Sequence, residues 1–185
     1  MERETSNDPM RLRTLIIGAV LCILLLAGMT VLDRALKTPA APAGIISFEL
    51  AGTLTGAERI LASWDASARI QAGISLGVDF FFLAAYAFTL AGICRRVVIH
   101  LPPHFRRLRR LGFLLAGGAW FAAFLDVVEN MMLIQLLLGN AGGWQPVLAA
   151  LCAWPKFGIT ACILMYIVLG SGYAFMRRSG AWRPS

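Results

Sequence analysis

Charge is scarce in this chain. Asp, Glu, Lys and Arg make up 15% of 185 residues, too few for a soluble domain of ordinary surface composition. Cysteine is scarce as well: Cys22, Cys94, Cys152 and Cys162 are all there are, each inside or at the end of an apolar run. Their positions give neither a disulfide framework nor a zinc spacing, and no redox dithiol. No Walker, Rossmann or nucleophile-elbow pattern occurs, which argues against nucleotide-driven work and against a serine nucleophile on a strand–helix turn. Polar alternation of the kind a membrane barrel needs is also missing. The two histidines, His100 and His104, flank Pro102-Pro103, and the prolines prevent the helix that would set them on one metal. No metal and no cofactor is expected.

What is present is apolar. Hydrophobic residues make up 58% of the chain and the mean hydropathy is +0.71, so most of the chain is expected to lie in lipid. Four spans are predicted, at Thr14–Leu32, Ala72–Cys94, Leu111–Gly139 and Val147–Met176. Each reaches the roughly 20 residues needed to cross a hydrocarbon core of about 30 Å. Helices are the required form, because backbone groups facing lipid must be satisfied within their own segment. The expected fold is all-α: one integral membrane domain, a four-helix bundle with an amphipathic helix in the loop between the first two spans.

Arginine sets the expected orientation. Arg3, Arg11 and Arg13 precede the first span, Arg95, Arg96, Arg106, Arg107, Arg109 and Arg110 fall in the 95–110 loop, and Arg177, Arg178 and Arg183 follow the fourth. The opposite side holds Arg34, Lys37, Arg59 and Arg69. The positive-inside rule places both termini in the cytoplasm. This bias accounts for the net charge of +7 through topology and anionic headgroups, so nucleic acid is not an expected partner and membrane lipids are. The first span has a long apolar core and an acidic lead of Glu2, Glu4 and Asp8, which favours an uncleaved anchor over a signal peptide.

The loop at 33–71 opens on a Pro/Ala stretch, turns helical around Ser47–Leu54 and again after Thr55. Thr55-Gly-Ala-Glu58 has the form of a capping box. Beyond it Ala57, Ile60, Leu61, Trp64 and Ala68 share one helical face. That helix either lies in the membrane interface with Trp64 at headgroup level, or folds over the mouth of the bundle as a lid. Trp120, Trp144, Trp154 and Trp182 are expected as interface or packing aromatics.

Against this background Asp79, Asp126, Glu129 and Lys156 stand out, because ionisable groups at bilayer depth cost a few kcal/mol each and persist where they meet partners or do work. Counting along the helices puts Asp79 roughly 12 Å, Glu129 and Asn130 roughly 14 Å, and Lys156 roughly 15 Å below the outer ends of their spans. Gly118, Ala122, Asp126, Glu129 and Asn130 fall on one stripe of the third span, and Ser75, Asp79 and Tyr86 on one stripe of the second, beside Gly73-x-x-x-Gly77. That glycine pair marks either a contact within the bundle or a dimer seam. Fully ionised, the three acids and one lysine carry two excess negative charges, which protons, a cation or a cationic ligand must balance.

Phe48-Glu49-Leu50-Ala51, Trp64, Asp79-Phe80 with Tyr86, LDVVENMM at Leu125–Met132 and Lys156 together resemble a family of small bacterial four-span membrane proteins. The strongest element is Asp126-x-x-Glu129-Asn130. The resemblance implies a four-helix bundle of the bacterial inner membrane with shared polar positions, and adds Glu49 as a candidate; it implies no reaction. Three functional classes follow: proton-linked binding or transport of a small or amphiphilic molecule, which for so few helices calls for a homo-oligomer; a membrane enzyme using Glu129 or Asp126 as general acid/base on a lipid-like substrate; or an assembly subunit whose polar groups lock the helices.

Overall fold

The computed structural model describes residues 9–140 and 142–178. Arg3, Arg183, Trp182 and the acidic lead of Glu2, Glu4 and Asp8 lie outside the described residues. Six α-helices follow one another: α1 (Pro9–Asp33), α2 (Ile45–Glu49), α3 (Leu54–Ser63), α4 (Ala66–His100), α5 (Arg106–Leu137) and α6 (Gln145–Arg178). No strand occurs among the described residues. Four of these helices, α1, α4, α5 and α6, are long and apolar enough to cross a membrane, which gives the architecture of a multi-pass membrane protein.

The helices α4, α5 and α6 form the tight part of the bundle, and α1 packs along α4. Small residues allow the close approach. On α5, Ala116, Ala119, Ala122 and Ala123 are buried, and a methyl group added at Gly112 would run into the hydroxyl of Tyr166 and the side chain of Val98. Gly117, half a turn round the same helix, faces open space. Gly112→Ala is therefore expected to cost about 1–3 kcal/mol through overpacking. Gly117→Ala should cost nothing and gain a little helix propensity; thermal unfolding of the two purified variants compares them directly. Among the described residues, a methyl at Gly77 likewise meets nothing within 4 Å and one at Gly73 only the tip of Leu137, so the glycine pair of α4 does not hold a close helix seam among them.

The segment between α1 and α4 departs from the sequence reading in two respects. The cap of α3 is Thr53, whose hydroxyl accepts from the Gly56 N–H at 3.1 Å, two residues before the expected Thr55. Gly52, at φ +67, turns the chain so that Thr53 enters in extended conformation, as a cap requires. Moreover, the amphipathic stretch is not one helix. It breaks at Trp64, and Asp65 starts α4 by accepting from the Ala68 N–H at 2.7 Å. Arg69 reaches back over the break, donating to the carbonyls of Leu61 at 2.7 Å and Trp64 at 3.3 Å, and so satisfies acceptors that the helix end leaves open.

The break lets Trp64 turn inward. It is 3% exposed, its Nε1 donates to the Leu36 carbonyl at 2.8 Å, and its ring meets Phe48 edge-on with centroids 5.3 Å apart. Trp64 therefore packs within the protein and does not present its ring to a surrounding interface. Trp120, Trp144 and Trp154, by contrast, are more than half exposed. Phe48, Trp64, Leu36, Ala57 and Ile60 form one apolar core with Leu76, Leu133, Leu136 and Ala149 of the long helices, so α2 and α3 are a cap seated on one end of the bundle. The cap is tied to α1 as well: Asp33, the last residue of α1, accepts from the Ile45 N–H that opens α2, at 2.7 Å.

Candidate functional site

Beneath the cap, α4 and α5 each turn a polar stripe inward and α6 adds Lys156. Asp79, Asp126, Glu129, Asn130 and Lys156 are all at least nine-tenths buried. Lys156 is the hub. Its ammonium donates to Asp126 Oδ1 at 2.7 Å and to Glu129 Oε1 at 2.9 Å, and the second oxygen of Glu129 lies 2.8 Å away. A third acid arrives from the cap: Glu49, the last residue of α2, has Oε2 3.6 Å from the same ammonium. Tyr86 donates its hydroxyl to Asp126 Oδ2 at 3.1 Å, and Asn130 donates to Asp79 Oδ2 at 2.6 Å. Ser75, one turn before Asp79 on α4, is buried beside them.

The structure thus joins four elements at one point: α2 through Glu49, α4 through Ser75, Asp79 and Tyr86, α5 through Asp126, Glu129 and Asn130, and α6 through Lys156. The α6 helix continues unbroken through Pro155, and the proline removes one backbone donor beside Lys156. Glu129 Oε2 meets the ammonium as an ion-pair contact at 2.8 Å without hydrogen-bond geometry, and Glu49 Oε2 is buried with the ammonium 3.6 Å away, beyond hydrogen-bond distance. Fully ionised, the three carboxylates around the ammonium and Asp79 beside them would leave three negative charges unbalanced. A low-dielectric interior does not hold such an excess, so protons or a cationic group complete the site.

Glu49 is the member supplied by the cap, and burial pushes its carboxyl above the ordinary range, against the attraction of Lys156. A carboxyl whose value is raised on folding contributes its full stability below the ordinary carboxylate range, near 4.3. That contribution is lost as pH rises through the raised value. Glu49→Gln should therefore flatten the fall in stability between mildly acidic and neutral pH, leaving the variant at least as stable as the parent at neutral pH. Thermal unfolding across a pH series measures it.

One side of the cluster opens on a cavity of about 550 Å³. Its polar wall includes Glu49, Ser75, Asp79, Tyr86, Asp126 and Lys156, and the rest of its lining comes from α1 and α6 together with apolar residues of α2 and α4. Helices α1 and α6 flank the space without forming a seam with each other. The rim is apolar and open: Ile23 and Leu26 of α1 and Leu164 of α6 are about half exposed or more. Because these helices are membrane-spanning in length and composition, the gap faces the region that acyl chains would occupy. The contribution of α1 escapes sequence reasoning, since its near-uniform apolar run carries no stripe; Cys22, Thr30 and the terminal Asp33 are its polar positions in the cavity lining.

A metal ion is poorly served here: among the described residues no three acid, histidine or cysteine side chains are grouped to hold one. His100 bonds its own helix through the Arg96 carbonyl at 2.8 Å and stands far along α4 from the cluster. The arrangement suits proton exchange among carboxyls and recognition of a polar headgroup by a charged wall. Comparison of the chain with protein-family models, curated proteins and solved structures yields no match in any of the three.

Proposed function

We propose that this chain is a multi-pass protein of the bacterial inner membrane, with both termini cytoplasmic, that binds a small or amphiphilic molecule in the acid–lysine site and links its occupancy to protonation. The observation that carries this reading is the position of the unbalanced cluster: Lys156, Glu49 and Asp126, backed by Glu129, form part of the wall of a cavity of about 550 Å³. That volume falls in the range of small-molecule sites. A polar lock serving only to fix helix register would need no such space beside it. In this orientation the cap lies on the external side and the gap between α1 and α6 opens to the outer leaflet. A carrier built on so few helices works as a homo-oligomer, and the open face at Gly77 of α4 is available for that contact.

Native mass spectrometry of gently extracted protein tests the reading. A small molecule or lipid retained by the wild type and lost from Leu26→Trp, which fills the cavity rim, is the expected result. Proton linkage predicts that its affinity changes with pH and that Glu129→Gln weakens this dependence. Wild type that retains nothing, and whose unfolding temperature responds to no amphiphile at any pH, would remove the proposal.

A further inference from the structure

The acceptors on the cavity wall are in excess of the donors. Lys156 is engaged by Asp126 and Glu129 and lies beside Glu49. The Tyr86 hydroxyl is committed to Asp126. Asp79 receives a hydrogen bond from Asn130, a neutral amide, and makes no ion pair among the described residues. Glu49, 9% exposed, lines the same cavity; its buried Oε2 has the Lys156 ammonium at 3.6 Å, too far for a hydrogen bond. Two acids from different elements thus face one space with acceptor capacity unfilled and, among the described residues lining it, no cation but the engaged Lys156.

We propose that the occupant is a monocationic amphiphile, an amine whose ammonium sits at Asp79 beside Glu49 and whose apolar tail leaves between α1 and α6. This rests on the preceding reading that the cavity takes an amphiphile, and specifies its headgroup. An ammonium brings both the donors and the positive charge that this wall lacks. A phosphate or carboxylate headgroup would meet like charge, and an alcohol would supply a donor but no charge. Grouping of the acids for a metal ion is absent among the described residues, whereas an organic ammonium needs only two or three acceptors spread over its reach. Ile23, Leu26 and Leu164 then line the path of the tail.

Octylamine, octanol and octanoate, which share a chain and differ in headgroup, are offered to the full-length protein in zwitterionic lipid nanodiscs. Bound copies are counted by native mass spectrometry against empty nanodiscs. Saturable octylamine binding about tenfold tighter than that of either other probe is expected, the scale of replacing a neutral contact by a charge-assisted one. Asp79→Asn should bring octylamine down to the octanol level, and Glu49→Gln should weaken it in the same direction should the first variant fail to fold. Octanol or octanoate binding as well as octylamine overturns the cationic headgroup while leaving an amphiphile site standing. Saturable binding of none of the three overturns both readings. Undiminished preference for octylamine in Asp79→Asn overturns the seat assigned to it.

Discussion

Lys156→Met is expected to cost about 3–5 kcal/mol, the scale of removing one partner from a buried ion pair. It should appear as a large fall in unfolding temperature in mild detergent. The size follows from the number of groups that depend on one ammonium. Asp126, Glu129 and Glu49 all lie within 3.6 Å of it, and the hydroxyl of Tyr86 is the one other donor to these three acids in the described contacts. Methionine fills much of the same volume, so the loss measures charge and hydrogen bonding more than packing. Adding Glu129→Gln to Lys156→Met should restore part of the stability, because it takes away one of the charges left without a partner. Asp79→Asn alone should be nearly neutral by comparison, since the carboxamide oxygen still accepts from Asn130. An equal loss in all these variants would mean that the cluster serves the fold alone and would count against a ligand site. A strong loss at Lys156 with a mild one at Asp79 separates the lysine hub from the wall that faces the cavity.

The parts of this architecture legible in the sequence are those set by local composition. Apolar runs of membrane-spanning length become the long helices because no other arrangement satisfies their backbone, and helical spacing suffices to put Asp126, Glu129 and Asn130 on one face of α5. What was not legible depends on contacts distant in the chain. The periodicity of Ala57, Ile60, Trp64 and Ala68 runs on as if one helix carried it. The break at Trp64 is fixed by the Leu36 carbonyl and the Phe48 ring, neither of which leaves a mark on the local pattern. Glu49 in isolation reads as a solvated loop carboxylate, and only the resemblance singled it out; docking of α2 brings it to Lys156. The cavity is less legible still, because it is the space left where α1 packs chiefly on α4 among the long helices, and no residue type encodes a gap.

Phe48→Ala carries the second large effect, an expected loss of about 3–5 kcal/mol as for other fully buried aromatics cut back to alanine. Phe48 is 0% exposed and shares one core with Leu36, Trp64, Ala72, Leu133 and Leu136, so it ties the cap to α4 and α5. Its loss should act unevenly. The cap is short, and α2 has only five residues, so it cannot hold its helical form once its docking side chain is gone. The long helices keep their own packing. Hydrogen exchange should therefore rise sharply across residues 45–64 while α5 stays protected, the pattern of sub-global opening. Since Glu49 directly follows Phe48, the same variant should withdraw the third acid from Lys156 and expose the cavity from the cap end. Trp64→Phe gives the graded comparison: it keeps an aromatic ring against Phe48 but removes the donor to the Leu36 carbonyl, at about 1–3 kcal/mol for a buried acceptor left unmet. If exchange instead rises equally in α5 and α6, the cap is not a separate unit but part of the bundle's core.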